Sequence, residues 1–234
     1  MVDYVKLSPN HSGPRTKPID RLTVHCFVGQ VTCERIGKEF EKTSKNASCN
    51  YGIGTDGKIV LIVDEKNRSW CSSNAANDQR AITIECASDA TAPYAFNTKV
   101  YQALVDLTVD IMYRNGKDTL LFIPEKEKAL KYVPKNNEMV MTFHRWFAKK
   151  SCPGDWFMLK AKAFSEDVTY LLKGGFEYGE PEKEEPEYTY PKLGEGLIKI
   201  ARRCGITFEE IKRINPDIKP PMYIVRAGKK VRIK

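Results

Sequence analysis

One acidic segment in this chain of 234 residues cannot form a packed fold. Residues 174–187 read G-G-F-E-Y-G-E-P-E-K-E-E-P-E, with six acidic residues and one basic residue. Glycine, proline and like charges leave too little apolar surface to bury, so the segment is expected to be an extended linker. The chain is therefore predicted to consist of a body over residues 1–173, this linker, and a small module over residues 188–234.

Charge and composition limit the partners and the cellular setting that this chain can be expected to have. The net charge is +8, and residues 188–234 carry 12 basic and 4 acidic side chains, which favours anionic partners such as nucleic acid, acidic membranes or acidic wall polymers. No apolar run reaches about eighteen residues and the N-terminus has no apolar segment, so neither a membrane span nor a signal peptide is expected. The seven cysteines form no C-x-x-C pair, which predicts mostly reduced, buried thiols.

Strand-like and helix-like segments alternate along the body. Strands are predicted at residues 22–27, 50–54, 58–63 and 81–87, and helices at residues 32–44, 97–115 and 155–172. Asp56-Gly57 is a hairpin-turn dipeptide between the second and third strands. This order predicts an α/β domain with a central mixed β-sheet flanked by helices.

The small module has its own pattern. Strands at residues 188–189 and 230–234 enclose helices at about residues 195–204 and 207–214. Thr207 with Glu210 is a capping-box start, and Gly205 suits the end of the preceding helix. The module is predicted to be a βααβ unit.

Two of the three histidines and one cysteine suggest a metal site. His25 lies within the apolar run T-V-H-C-F, His144 ends M-V-M-T-F-H, and Cys152 follows in K-K-S-C-P-G. Two imidazoles and a thiolate, with a fourth position open for water, would make a catalytic zinc site. The spacing alone equally allows core histidines with satisfied hydrogen bonds and an ordinary buried cysteine. His11, in a polar loop, is expected to be solvated.

Four motifs in order carry a family resemblance. They are L-T-V-H-C-F, A-S-C-N-Y-G-I-G-T-D-G-K-I, N-D-Q-R-A-I-T-I-E-C-A and T-F-H-R-W-F-A-K-K-S-C-P-G. Together they closely resemble the zinc-dependent N-acetylmuramoyl-L-alanine amidases of the phage-lysozyme and peptidoglycan-recognition superfamily, over roughly residues 1–173. The resemblance implies the fold of that superfamily, a Zn²⁺ cofactor, and zinc ligands at His25, His144 and Cys152.

The same resemblance implies two catalytic residues. Glu85 matches the family's acid/base glutamate in I-x-I-E, and a carboxyl group within an apolar strand is costly to bury without a partner. The alternative is that Glu85 simply faces solvent or forms a salt bridge. Lys150 matches a lysine two residues before the last ligand, where it would neutralise a developing oxyanion, although one lysine of a K-K pair is usually just solvated.

Three further residues are candidates for binding substrate. Where some branches of the family carry a catalytic tyrosine, this sequence has Cys49, and Tyr51 two residues on is predicted to share its strand face and to line the pocket. Packing in the core is the alternative for Tyr51. Trp70 and Asn77 resemble the family's cleft-lining region, although an isolated tryptophan is more often part of a core.

The C-terminal module resembles LysM over residues 188–234, through I-A-R-R-C-G-I-T-F-E-E-I, Asn215-Pro216 and A-G-K-K-V-R-I. Such modules bind glycans that contain N-acetylglucosamine. The sequence G-E-G-L at residues 194–197 departs from the family's usual Gly-Asp followed by a hydroxyl residue. The LysM fold is still expected, and the affinity for glycans is left open.

These observations predict a peptidoglycan hydrolase that cleaves between N-acetylmuramic acid and L-alanine. A phage or prophage endolysin is expected, made in the cytoplasm without a signal peptide and acting on the wall after release. A host autolysin and a non-catalytic peptidoglycan-binding protein are the alternatives. A nucleic-acid partner is not expected, because no stacking motif or zinc finger accompanies the basic charge, and neither is membrane insertion.

Overall fold

The computed structural model describes residues 2–174, 188–189, 196–218 and 231–233. The chain forms two compact units, Met1–Phe176 and Glu177–Lys234. Most of the predicted linker, residues 175–187, lies outside the described residues, as do Gly194 and Glu195. Within the described ranges, no helix has the length and apolar character needed to cross a bilayer.

A mixed sheet forms the centre of the first unit. Its described strands are β1 (Tyr4–Val5), β2 (His11–Pro14), β3 (Arg21–Val28), β4 (Tyr51–Ile53), β5 (Ile59–Leu61), β6 (Asn67–Ser69), β7 (Ala81–Ser88), β8 (Thr119–Leu121) and β9 (Glu138–Phe143). Seven of them pair in the order β1-β5-β4-β7-β3-β9-β8. Strand β3 runs parallel to both neighbours, whereas β4 and β5 form the predicted antiparallel hairpin. Strands β2 and β6 pair separately. The predicted central mixed sheet is confirmed.

The helices of this unit are α1 (Cys33–Glu39), α2 (Ala75–Asp78), α3 (Thr98–Arg114), α4 (Lys126–Lys131) and α5 (Asp155–Leu172), with 3-10 turns at Thr43–Lys45 and His144–Trp146. The predicted helix over residues 32–44 is shorter than expected. The Ser8 hydroxyl and the Asn10 amide donate to the Phe40 carbonyl, at 2.5 and 3.4 Å. That carbonyl is thus used by side chains from elsewhere in the chain, and α1 ends at Glu39.

The two faces of the sheet differ in character. Helices α3 and α5 pack on one face, over apolar residues of β3 and β7 such as Leu22 and Ile84. Helix α1 covers part of the opposite face through a smaller apolar cluster. Side chains alternate along a strand, so His25 and Glu85 project to this second face. It also buries hydroxyl groups, and Thr23 Oγ1 lies 2.7 Å from Thr142 Oγ1.

The second unit contains β10 (Tyr188–Thr189), α6 (Leu197–Cys204), α7 (Phe208–Ile214) and β11 (Val231–Arg232). The two strands pair antiparallel, and both helices contribute to one small apolar core. The Thr207 hydroxyl accepts from the Glu210 N–H at 3.1 Å, and Gly205 ends α6 with φ 70°. The predicted βααβ order and both of its helix signals are confirmed.

Candidate active site

The carboxyl ends of three neighbouring parallel strands bring His25, Glu85 and His144 together. His25 of β3 stands opposite Glu85 of β7 in the parallel register, so both side chains point to the same face. His144 directly follows β9. Strand β9 pairs with β3 on the side opposite to β7. Distant parts of the sequence therefore meet at the carboxyl ends of these inner strands, where ligands of open α/β sheets commonly bind.

The two imidazoles form a compact group with Cys152. Potential ligand atoms of His25, His144 and Cys152 all lie within 4.8 Å of one another. Cys152 Sγ is 3.3 Å from His25 Nδ1, and the centroids of the two imidazole rings are 5.0 Å apart. Two imidazole nitrogens and a thiolate are a typical donor set for Zn²⁺, with a fourth position left for water or substrate.

Hydrogen bonds among the described residues satisfy only one of the two ring nitrogens of His25. Its side chain is fully buried, with Nδ1 facing Cys152 and Glu85, and Nε2 has no hydrogen-bond partner in the part of the chain that the structure describes. Burial lowers the pKa of His25 well below its ordinary value, and burial together with the charge of Lys150 lowers the pKa of His144. Both rings are therefore neutral at pH 7, which is the form that coordinates metals. The two neutral imidazoles and the adjacent Cys152 sulfur therefore fit a zinc ion.

The Glu85 carboxyl group lies beside this cluster. Its Oε1 is 3.9 Å from His25 Nδ1, and the buried Oε2 has no hydrogen-bond partner among the residues described above. Burial raises the pKa of Glu85 to about 7, while the charge of Lys45 and a hydrogen bond from Cys71 lower it. A carboxyl group that titrates near neutral pH can both accept and return a proton.

Two cavities open beside the cluster, with volumes of about 440 and 330 Å³. Both are lined by Trp70, Cys71, His144 and Lys150, and the smaller cavity is also lined by Glu85. The Trp70 indole N–H donates to the Ser12 hydroxyl at 2.6 Å, which fixes the ring at the cavity wall. Lys150 and Trp70 thus both line the cavities beside the cluster.

Tyr51 lies away from this cleft, contrary to the prediction. It stands opposite Ile84 of β7 and packs into the core under α3 and α5, where its hydroxyl donates to Glu65 Oε1 at 2.8 Å. Cys49 instead packs in the cluster around α1. Alternation along a strand does not relate the two residues, because β4 begins only at Tyr51 and the Asn50 carbonyl accepts from two N–H groups, those of Ile62 and Val63.

Asn77 also does not line either cavity. It is fully buried, and its amide group donates to the Thr23 hydroxyl at 3.0 Å and to the Ser72 hydroxyl at 3.2 Å. Its carbonyl oxygen accepts from Thr142 at 3.1 Å. These partners lie on β3, on β9 and in the loop before α2. Asn77 therefore connects three segments around the site and does not line the cavities.

Three residues near the cluster were missed by the sequence analysis. Lys45 lines the smaller cavity and forms an ion pair with Glu39. Cys71 Sγ lies 3.9 Å from Glu85 Oε1, and Ser73 Oγ lies 3.1 Å from His144 Nε2. Only the polar run S-S-N after Cys71 marks this region in the sequence, and such runs usually indicate an ordinary loop.

Comparison with known families identifies the first unit. Residues 15–155 match the family described as N-acetylmuramoyl-L-alanine amidase, a range that includes His25, Glu85, His144 and Cys152. The chain belongs to this amidase family. Amidases of the family are typically zinc-dependent, in agreement with the donor set described above. Residues 192–234 match the LysM domain, so both parts of this amidase imply binding to peptidoglycan.

Solved structures resemble the amidase at low sequence identity. The catalytic domain of XlyA is 16% identical, with 71% of this chain and 99% of that chain covered and a TM-score of 0.49. A mutant endolysin from Bacillus subtilis is 19% identical, with 72% and 99% covered and a TM-score of 0.49. The amidase LysC from Clostridium intestinale URNW is 15% identical, with 70% and 98% covered and a TM-score of 0.44. No curated protein matches the chain.

Proposed function

We propose that this amidase uses a zinc ion held by His25, His144 and Cys152 to hydrolyse the amide bond between N-acetylmuramic acid and L-alanine. The observation that carries the proposal is the position of the Glu85 carboxyl group. It lies next to three potential ligand atoms that are within 4.8 Å of one another. A purely binding protein would have no need to bury an unpartnered carboxyl oxygen beside such a donor set.

The chain's own residues supply the proton transfer and the charge stabilisation. A bound zinc ion contributes Lewis acidity, which polarises a carbonyl group and acidifies water. Glu85, with its pKa raised to about 7, accepts a proton from the attacking water and returns it to the departing amine of L-alanine. The Lys150 ammonium group, in the wall of both cavities, balances negative charge on the amide oxygen. Trp70 forms an apolar wall for the substrate.

The biological role we propose is that of a phage or prophage endolysin. The pairing of an amidase unit with a LysM module supports a hydrolase that is retained on the wall it cuts. The basic charge of residues 188–234 supports the same role, because wall polymers are anionic. Retention near the substrate raises its effective concentration for the catalytic unit.

Analysis of the products from purified walls tests the proposed reaction. Digestion by the zinc-loaded protein should release new amino termini that belong to L-alanine, with no increase in reducing sugars. The zinc content of the purified protein should be about one ion per chain, as expected for one set of three ligands. New reducing ends in place of amino termini would show a glycosidase and refute the proposed reaction.

A further inference from the structure

The loop that carries Ser73 is held at both of its ends. The Asp78 carboxylate accepts hydrogen bonds from the backbone N–H groups of Cys71 and Ser72, at 3.1 and 3.2 Å. On the other side of Ser73, the Asn74 side chain caps α2 by accepting from the Asn77 N–H at 2.9 Å. These contacts hold the backbone on both sides of Ser73.

Ser73 has a backbone conformation that disfavours its own residue type. Its φ is 62°, in the left-handed region where glycine is the unstrained choice. The hydrogen bonds that hold the loop come from Asp78 and Asn74 and do not require a side chain at this position. The structure therefore keeps a strained serine where glycine would fit, and strain of this kind is concentrated at functional sites.

Within the described ranges, the Ser73 side chain has one polar contact, which joins it to His144. Ser73 Oγ lies 3.1 Å from His144 Nε2, within hydrogen-bonding distance. A hydroxyl group that accepts from Nε2–H selects the imidazole tautomer in which Nδ1 keeps its lone pair. Hydrogen-bond partners of this kind orient metal-binding histidines and fix their tautomers.

The same loop is also tied to the strands that carry the histidines. Asn77 of α2 bonds to Ser72 in the loop, to Thr23 of β3 and to Thr142 of β9. His25 follows Thr23 by two residues and His144 follows Thr142 by two. The loop that carries Ser73 is therefore bound to the same buried amide group that links the two strands.

We propose that Ser73 is a positioning residue that holds His144 in the tautomer and orientation needed to bind zinc through Nδ1. The inference rests on the proposed function for the presence of zinc at His144. It adds a residue outside the set of ligands, and it gives a role to a serine that has a positive φ.

Two substitutions separate the hydroxyl group from the backbone strain. Ser73→Ala removes the hydroxyl and keeps the strain, whereas Ser73→Gly removes both. Zinc affinity, measured by competition with a chelator, should fall by about 10–100-fold in both variants. With zinc removed, the glycine variant should melt about 2–4 °C above the alanine variant, because only glycine is unstrained at this φ.

Asn46 provides the matched control, since it also has a left-handed backbone, with φ 50°. Asn46→Gly should likewise melt above Asn46→Ala, and both should bind zinc as tightly as the unaltered protein. If the Ser73 variants keep normal zinc affinity, or if their affinities differ in parallel with their stabilities, the positioning role is wrong. If the unaltered protein binds no zinc, the proposed function fails and this inference fails with it.

Discussion

Glu85 Oε1 lies 3.9 Å from His25 Nδ1 across two strands in parallel register, so the proposed acid/base group and a potential metal ligand share one face of the sheet. Glu85→Gln keeps the shape of this side chain and removes its ability to carry a proton. Zinc content should stay unchanged, and turnover should fall by about 10²–10⁴-fold, the usual contribution of a positioned acid or base. Glu166→Gln, which alters an exposed ion pair on α5, is the control. Near-normal turnover in Glu85→Gln would assign the proton transfer to another residue.

The same substitution should stabilise the zinc-free protein at neutral pH. Burial raises the pKa of Glu85 from 4.5 to about 7, so the folded state keeps a proton that the unfolded state releases. The contribution of Glu85 to the free energy of unfolding is therefore largest below pH 4.5, where the group is protonated in both states. This contribution is lost as the pH rises from 4.5 to 7. Above pH 7 the loss of stability from this shift is about 3 kcal/mol.

Urea denaturation in the presence of a chelator measures this difference. The free energies of unfolding of the zinc-free protein and of Glu85→Gln should converge near pH 4. The advantage of the glutamine variant should grow until about pH 7 and then level off. A difference that does not change with pH would contradict the raised pKa of Glu85.

Removing one ligand should abolish zinc binding. His144→Ala leaves only His25 and Cys152, and two ligands rarely hold a catalytic zinc ion. The variant should therefore contain no zinc and release no amino termini from walls. His11→Ala is a matched control, because His11 lies in β2 and its Nδ1 accepts from the Gly13 N–H. Full hydrolysis by His144→Ala without metal would refute the proposed site.

Tyr51→Phe should affect stability and leave the reaction unchanged. The Tyr51 hydroxyl donates to Glu65, and the same carboxylate accepts two hydrogen bonds from Arg114, both at 2.9 Å. Loss of one hydrogen bond from this group should lower the free energy of unfolding by about 1 kcal/mol. The kcat and KM for a soluble muropeptide should be unchanged. A large fall in kcat would place Tyr51 in the cleft after all.

The C-terminal module should bind walls through two separable contributions. Residues 188–234, produced alone, carry 12 basic and 4 acidic side chains, and salt screens such charges over about 8 Å at physiological strength. Contacts to glycans should persist at high salt. Sedimentation with purified walls over a range of salt concentrations measures both contributions. Binding at low salt only would show that the module is a cationic anchor without glycan recognition, and no binding would refute the targeting role.

Elements with strong local patterns were predictable from the sequence. Strand β3, the β4–β5 hairpin, β7 and the long helices α3 and α5 all occur where the pattern of apolar residues and turn dipeptides indicated. The group of His25, His144 and Cys152 was found by resemblance to a family, since spacing alone left ordinary core residues as an alternative. The structure adds the short distances among these side chains.

Features that depend on contacts between distant segments were not predictable. Helix α1 ends early because Ser8 and Asn10 bind the Phe40 carbonyl, and no local signal marks those partners. Tyr51 was misplaced because side-chain alternation was counted across Asn50, which lies before the start of β4. Asn77 was recognised as part of the site region, but only its buried partners show that it acts as a brace.

The proposed zinc ligands lie on β3 and after β9, so zinc uptake would report on the pairing of these strands. His25 and Cys152 are 127 positions apart, so no short-range folding event can bring them together. A refolding chain in which β9 has not yet paired with β3 presents only separate ligands, whatever its content of helix. The time course of zinc capture, followed with a competing dye, would therefore report when the centre of the sheet closes. Circular dichroism of the same sample would report only the growth of secondary structure.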